Sequence, residues 1–103
     1  MYKLTFFTPA SHKEEIKDAL FDLGVGRYAN YDRCSFETLG VGQFRALSGA
    51  DPYIGSVGVV ERVEEYKVEM ICDDAIIKEA IITLKRVHPY EEVAYEVFRV
   101  EEF

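Results

Sequence analysis

The chain has 103 residues and a formal charge of −7, and 49% of it is hydrophobic, seven Phe and seven Tyr included. That is the length of one domain, residues 1–103, with enough apolar material for a core, and it excludes a disordered chain, which combines low hydrophobicity with high net charge. The acidic balance excludes nonspecific attraction to nucleic acid or to an anionic membrane, and no apolar run approaches the ~18 residues of a spanning helix.

Residues Tyr2–Thr8 are rich in aromatic and β-branched side chains and stop at Pro9, which predicts a first strand. Tyr2, Leu4 and Phe6 would share one face, and Phe7 on the other makes a central strand the expectation. Thr8-Pro9 also cuts the apolar start too short for a signal peptide, so a soluble cytoplasmic protein is expected. Ser11 and Glu14 have the spacing of a capping box, and Ile16, Ala19, Leu20 and Leu23 then repeat as one helical face. Gly24 follows as a C-terminal stop able to take positive φ.

The pattern loosens over residues 25–47. Tyr28, Tyr31, Cys34 and Phe36 suit a second strand, and Gly40 and Gly42 predict a turn between residues 33–38 and 43–47. This reads as a strand prolonged into a hairpin-like excursion. A loop through Pro52 and Gly55 leads to a long strand over residues 57–72. There Tyr66, Val68, Met70 and Cys72 alternate with Glu65, Lys67, Glu69 and Ile71, as in a sheet covered on one side.

Asp73 or Asp74 caps a second helix with its apolar face at Ile77, Ala80, Ile81 and Leu84. Lys85 and Arg86 lie in its last turn, where positive charge suits the helix dipole, and Pro89 forces His88 out of helical geometry. Residues 94–100 form the last strand. The order β-α-β-β-α-β predicts an α+β, ferredoxin-like fold: a four-stranded antiparallel sheet with two helices on one face and the excursion between strands two and three.

Chemistry-bearing residues concentrate at His88-Pro89-Tyr90-Glu91-Glu92. Imidazole and carboxylates there suit a divalent metal or an acid–base pair, whereas the plainer reading makes His88 a helix end and Pro89 and Tyr90 the turn into the last strand. His12, in the first helical turn, is read as solvated. Cys34 and Cys72, in two different predicted strands, read as buried free thiols, with a disulfide or a soft-metal site as the alternatives. Neither has a histidine nearby in sequence, and Ser35 lacks a nucleophile-elbow context, so no catalytic set is assigned. The run Glu61, Glu64, Glu65 and Glu69 reads as a solvated strand face, or else as an acidic contact surface. Tyr28, Tyr31, Phe36, Phe44 and Tyr53 exceed what one such sheet buries, which favours an oligomer interface over a ligand pocket.

Five stretches in order carry a resemblance: Asn30-Tyr31-Asp32-Arg33-Cys34-Ser35-Phe36, Gly40-Val41-Gly42-Gln43-Phe44-Arg45, Pro52-Tyr53-Ile54-Gly55, Val60-Glu61-Arg62-Val63-Glu64 and His88-Pro89-Tyr90-Glu91-Glu92-Val93-Ala94-Tyr95. Together they resemble the inserted middle domain of NIF-three-like proteins of the YqfO type, over essentially the whole chain. That domain is similar to CutA and PII-like signalling proteins, which are ferredoxin-like trimers, and CutA proteins carry an H-P-Y-E segment matched here by His88 to Glu91. The resemblance implies a free-standing version of the insert, a homotrimer with a regulatory or ligand-sensing role. The dinuclear metal site of NIF-three-like proteins lies in a flanking domain whose ligands have no counterparts here, so their proposed hydrolase-like activity does not carry over.

The expectation is therefore a non-enzymatic module that takes a small molecule or a protein partner at a cleft between subunits. His88, Tyr90 and Glu91 would line it, with Arg33, Phe44 and Arg45 from the excursion. The alternative is a CutA-like protein binding a divalent metal, copper or zinc, through His88 and a thiol such as Cys34. An enzyme using His88 with Glu91 is the third.

Overall fold

The computed structural model describes residues 1–103. Its elements are β1 (Tyr2–Thr8), α1 (Ala10–Leu23), β2 (Phe36–Arg45), β3 (Val60–Cys72), a 3-10 turn (Asp74–Ile76), α2 (Ile77–Val87) and β4 (Tyr95–Arg99). The four strands form one antiparallel sheet in the order β2-β3-β1-β4, the expected ferredoxin-like arrangement. β1 is an interior strand, between β3 and β4, as expected. The pairing of β4 continues past both of its ends, through Phe7 N–H to the Ala94 carbonyl and Val100 N–H to the Met1 carbonyl.

Strand alternation puts Leu4 and Phe6 of β1 and Val68, Met70 and Cys72 of β3 on one face. Ile16 and Leu20 of α1 and Ala80 and Leu84 of α2 close over them, and Val25 completes a fully buried core. Removing water from each large apolar side chain there is worth about 1.5–3 kcal/mol, so this cluster dominates the stability of the sandwich. The opposite face, with Lys3, Phe7, Glu65, Lys67 and Glu69, carries no helix. Lys3 and Glu69 form an ion pair on it.

Four local expectations change. Ser11 and Glu14 do not form a capping box. Pro9, in extended geometry, is the N-cap of α1, so Ser11 is already inside the first turn and its hydroxyl bonds His12 Nδ1 instead. Gly40 and Gly42 do not turn. Both lie within the unbroken β2 ladder, opposite Glu65 and Val63, and neither takes positive φ. The reversal falls at residues 46–59, closed by Gly58 N–H to the Ala46 carbonyl at 2.8 Å, with positive φ at Gly49, Gly55 and Gly58. Tyr28 and Tyr31 bridge each other across a tight turn, and Cys34 lies in the loop that follows, outside any strand. At the other end of the sheet, Asp73 caps the 3-10 turn through Ala75 N–H before α2 begins.

The excursion is a two-stranded arm. β3 pairs with β1 only over residues 66–72, whereas β2 pairs with β3 from Phe36↔Glu69 to Arg45↔Val60. Residues 60–65 therefore run past the end of β1 with β2 as their sole neighbour, and the molecule measures 47 × 25 × 24 Å. The outer edge of β2 has no neighbour at all. No helix is long and apolar enough to cross a membrane.

Candidate functional site

The arm leaves the sheet where β1 ends, and the segment after α2 arrives at that same corner. Pro89 holds His88 extended, at φ −74° and ψ 138°, while the His88 amide still bonds the Leu84 carbonyl as the C-cap of α2. Its ring turns inward. Nε2 lies 2.7 Å from the Phe7 carbonyl oxygen, which can only accept, so Nε2 carries the proton. Nδ1 accepts from Tyr90 N–H at 3.1 Å. Burial holds the imidazole below its usual pKa, against the opposing pull of the Phe7 carbonyl. His88 is thus a neutral, doubly bonded core histidine that ties the end of α2 to the end of β1.

Tyr90 stands on that histidine, ring centroids 4.9 Å apart, and gathers the corner. Phe44 from the arm lies 6.4 Å from it and Tyr53 from the 46–59 loop lies 6.2 Å away, edge-on. Tyr53 in turn meets His12 edge to face at 5.7 Å. The loop is pinned by Asp51 N–H, which donates to Glu91 Oε2 at 2.6 Å. Between these pieces lies a cleft of about 560 Å³, lined by Phe44, Arg45, Pro52, Tyr53, Ile54, Glu65, Tyr90, Glu91 and Glu92, among others. That volume is within the ~300–1,000 Å³ of small-molecule sites. The Tyr90 hydroxyl is buried and has no hydrogen-bond partner. Burial first, then the Glu65 carboxylate, push it up to about 12, so it is a neutral phenol at any physiological pH.

Of the residues expected to act together, Phe44, Arg45, Tyr90 and Glu91 do line one cleft. His88 lies behind Tyr90 rather than in the lining, with both ring nitrogens engaged. Arg33 is elsewhere: it adopts positive φ, pairs with Asp22 at 2.9 Å and Asp18 at 3.5 Å, and sits over the Phe21 ring. Nor are Cys34 and His88 brought together. Cys34 hangs from Gly26, which hangs from Ile71 opposite Lys3, whereas His88 is tied to Phe7. Four strand positions separate these anchors, about 13 Å, far more than one shared ion spans. No group of three or more His, Cys, Asp or Glu side chains converges to hold a metal. Both cysteines are free thiols.

Glu65 and His12 were not singled out for this corner by the sequence. Glu65 belongs to an acidic run, and strand parity puts it on the face of Phe44 together with Glu61 and Glu69, so parity alone does not single it out. His12 is not the solvated residue its place in the first helical turn predicts, because the folded-back loop brings Tyr53 to it. What the corner offers chemically is three aromatic rings, carboxylates and an unpartnered phenol.

No protein-family model matches the chain. A protein of Bacillus subtilis named GTP cyclohydrolase 1 type 2 homolog is 38% identical over 100 residues, which is 97% of this chain and 27% of that protein. Among solved structures, a Bacillus cereus protein related to NIF3 superposes with a TM-score of 0.84 at 37% identity, over 98% of this chain and 26% of that one. The PII-like protein CutA from Nostoc superposes with a TM-score of 0.71 at 18% identity, over 98% of this chain and 82% of that one, a likeness of fold alone. The chain spans about a quarter of the length of the curated relatives it matches. Over nearly its whole length the chain is similar to one segment of these NIF3-related proteins, and its fold is the one CutA shares.

Proposed function

We propose that this domain is a non-enzymatic, ligand-sensing module that works as a cytoplasmic homotrimer and takes a small molecule in the cleft beneath Tyr90. The observation that carries this reading is the cleft itself. Three separate pieces of chain build it: the arm, the 46–59 loop and the segment after α2. The Tyr90 hydroxyl there is buried and makes no well-formed hydrogen bond, with the Glu65 carboxylate beside it. A corner made only for stability would satisfy that hydroxyl or replace Tyr with Phe, because an unmade buried hydrogen bond costs about 1–3 kcal/mol.

Oligomerisation is supported by the arm. Its β2 edge is ten residues long, unpaired, free of Pro and Lys, and carries Leu39 and Val41 at 53% and 70% exposure. Long, exposed, apolar edges pair with other chains unless they are blocked. The count of three rests on the resemblance to CutA and PII-like proteins. The name carried by the curated relatives belongs to proteins of which this domain is about a quarter, and no cyclohydrolase chemistry is assigned to the cleft.

Sedimentation equilibrium over a wide concentration range tests the assembly. Three times the chain mass supports it, and a monomer mass at every concentration overturns it. Ligand sensing is tested separately by the titrations described below.

A further inference from the structure

We infer that the cleft beneath Tyr90 recognises a small organic cation, an ammonium, alkylated ammonium or guanidinium group borne on an apolar body. The inference rests on the ligand-binding reading of the cleft and adds the chemistry of its occupant. Phe44, Tyr53 and Tyr90 come from three different segments, yet each of the first two rings lies within 6.4 Å of Tyr90. Aromatic faces attract cations through the ring quadrupole, most strongly where water is excluded. The charged groups around them are unbalanced in the same sense. Glu65, Glu91 and Glu92 line the cleft against the single guanidinium of Arg45.

Glu65 is committed to its position by the backbone opposite. Its carboxylate occupies the space where a side chain at position 42 would stand, so glycine there is what admits it. The buried Tyr90 phenol stands beside that carboxylate without a well-formed hydrogen bond, and its neutral oxygen can accept one from an N–H donor. An anion would meet three carboxylates, and neither a helix N-terminus nor a lysine lines the cleft to hold it. Nucleotides and polycarboxylates are therefore disfavoured, and a planar guanidinium or a methylated ammonium on a short chain suits both the rings and the volume.

The test uses the full chain and ¹H–¹⁵N NMR titrations with agmatine and choline as cationic probes and ATP and citrate as anionic ones. The expected result is that agmatine or choline at millimolar concentration moves the amide signals of Phe44, Tyr53 and Tyr90. Glu65→Gln should weaken that binding about tenfold. Glu69→Gln, on the same sheet face but paired with Lys3 outside the cleft, should leave it unchanged. Equal affinity in wild type and Glu65→Gln overturns the inference, because the signal would then report general attraction to an acidic protein. Movement of the cleft signals by ATP or citrate alone also overturns it, while the ligand-sensing reading stands. If no probe moves these signals, the cationic assignment falls, and sedimentation judges the trimer independently.

Discussion

Glu65 lies across Gly42, its carboxylate filling the space that a β-carbon at position 42 would need. The two positions are diagonal neighbours on the open face of the arm, with Gly42 opposite Val63 and Gly40 opposite Glu65. Gly42 has no positive φ, so alanine is conformationally allowed there, and the obstacle is the far end of a flexible side chain. Gly42→Ala should therefore fold with a stability within about 1 kcal/mol of wild type, since the entropy removed from the unfolded chain offsets the local shift. Its Glu65 must swing away from Tyr90, and agmatine affinity should fall toward that of Glu65→Gln. Urea unfolding and the NMR titration on the same variant separate the two effects; a variant that loses several kcal/mol would show that the arm cannot absorb the shift.

Gly26 presents the opposite case. It is buried, at φ +81°, and a β-carbon would lie 2.7 Å from the Cys34 carbonyl oxygen and 3.0 Å from the Phe21 ring. Its amide donates to the Ile71 carbonyl and its carbonyl accepts from Cys34 N–H, both at 2.8 Å, so this one residue stitches the 25–35 loop to β3. Left-handed geometry costs a non-glycine residue roughly 1–2 kcal/mol before any clash. Gly26→Ala should lose about 3 kcal/mol in urea unfolding. Gly49→Ala, at φ +98° but with open space around it, should lose only the conformational part.

Stability should fall on mild acidification because of His88. The buried imidazole has its pKa lowered in the folded protein, whereas in the unfolded chain it returns to about 6.5. The unfolded state therefore binds the proton more readily. The contribution is fully present above pH ~6.5 and is lost as pH falls from there toward the folded value. Glu37, Glu69 and Asp74 are also held low, each by a hydrogen-bonded cationic partner, but theirs are carboxylate losses that begin only below about pH 4.5. Thermal unfolding between pH 8 and pH 5 should show a decline that His88→Gln abolishes while lowering stability at pH 8, where it disturbs the bond to the Phe7 carbonyl. An unchanged decline in the variant would assign it to another group.

The order and pairing of the elements were legible because periodicity carries them. Leu4 and Phe6, the Ile16–Leu20 face, the alternation from Val68 to Cys72 and the Ala80–Leu84 face all pointed toward the core they form. Pro89 alone was enough to stop α2 at His88. The 40–42 region misled because glycine in sequence signals a turn only if its backbone needs positive φ. At Gly42 it is the missing side chain rather than freedom of the backbone that matters, and Glu65 uses the space. The site was half legible for a related reason. Phe44 and Arg45 are placed by the β2 ladder and Tyr90 and Glu91 by the stop of α2 at His88-Pro89, but Tyr53 and His12 meet through a loop that no periodicity describes. Arg33 was drawn in by its motif alone, and the acidic residues Asp18 and Asp22 of α1 hold it at another corner.

The two thiols should react very differently. Cys72 is buried on the core face of β3, and burial, followed by the charges of Asp73 and Asp74, pushes its thiol up to about 11. Almost none is thiolate at pH 8, and none is accessible without unfolding. Cys34 lies half-buried in the loop after the Tyr28–Tyr31 turn. Brief treatment of the native chain with iodoacetamide should give a single adduct at Cys34 by mass spectrometry, with the second appearing only in denaturant. Early labelling of Cys72 would mean that the β1–β3 side of the core opens readily.

A charge on the arm edge should dissociate the assembly without harming the domain. Val41 projects from β2 on the helix side of the sheet, but beyond the reach of either helix, and is 70% exposed, so within one chain it buries almost nothing. Lysine there should change unfolding free energy by no more than about 0.5 kcal/mol, the usual range for a surface position. Across a paired edge it would place an ammonium group in an apolar contact, the device by which natural edge strands avoid association. Val41→Lys should sediment as a well-folded monomer at concentrations where the proposed trimer of the wild type forms. Ile82→Lys, equally exposed at 65% but on α2, serves as the control and should remain associated. If Val41→Lys stays trimeric and Ile82→Lys does not, the contact runs through the helical face, and the arm edge must have another use.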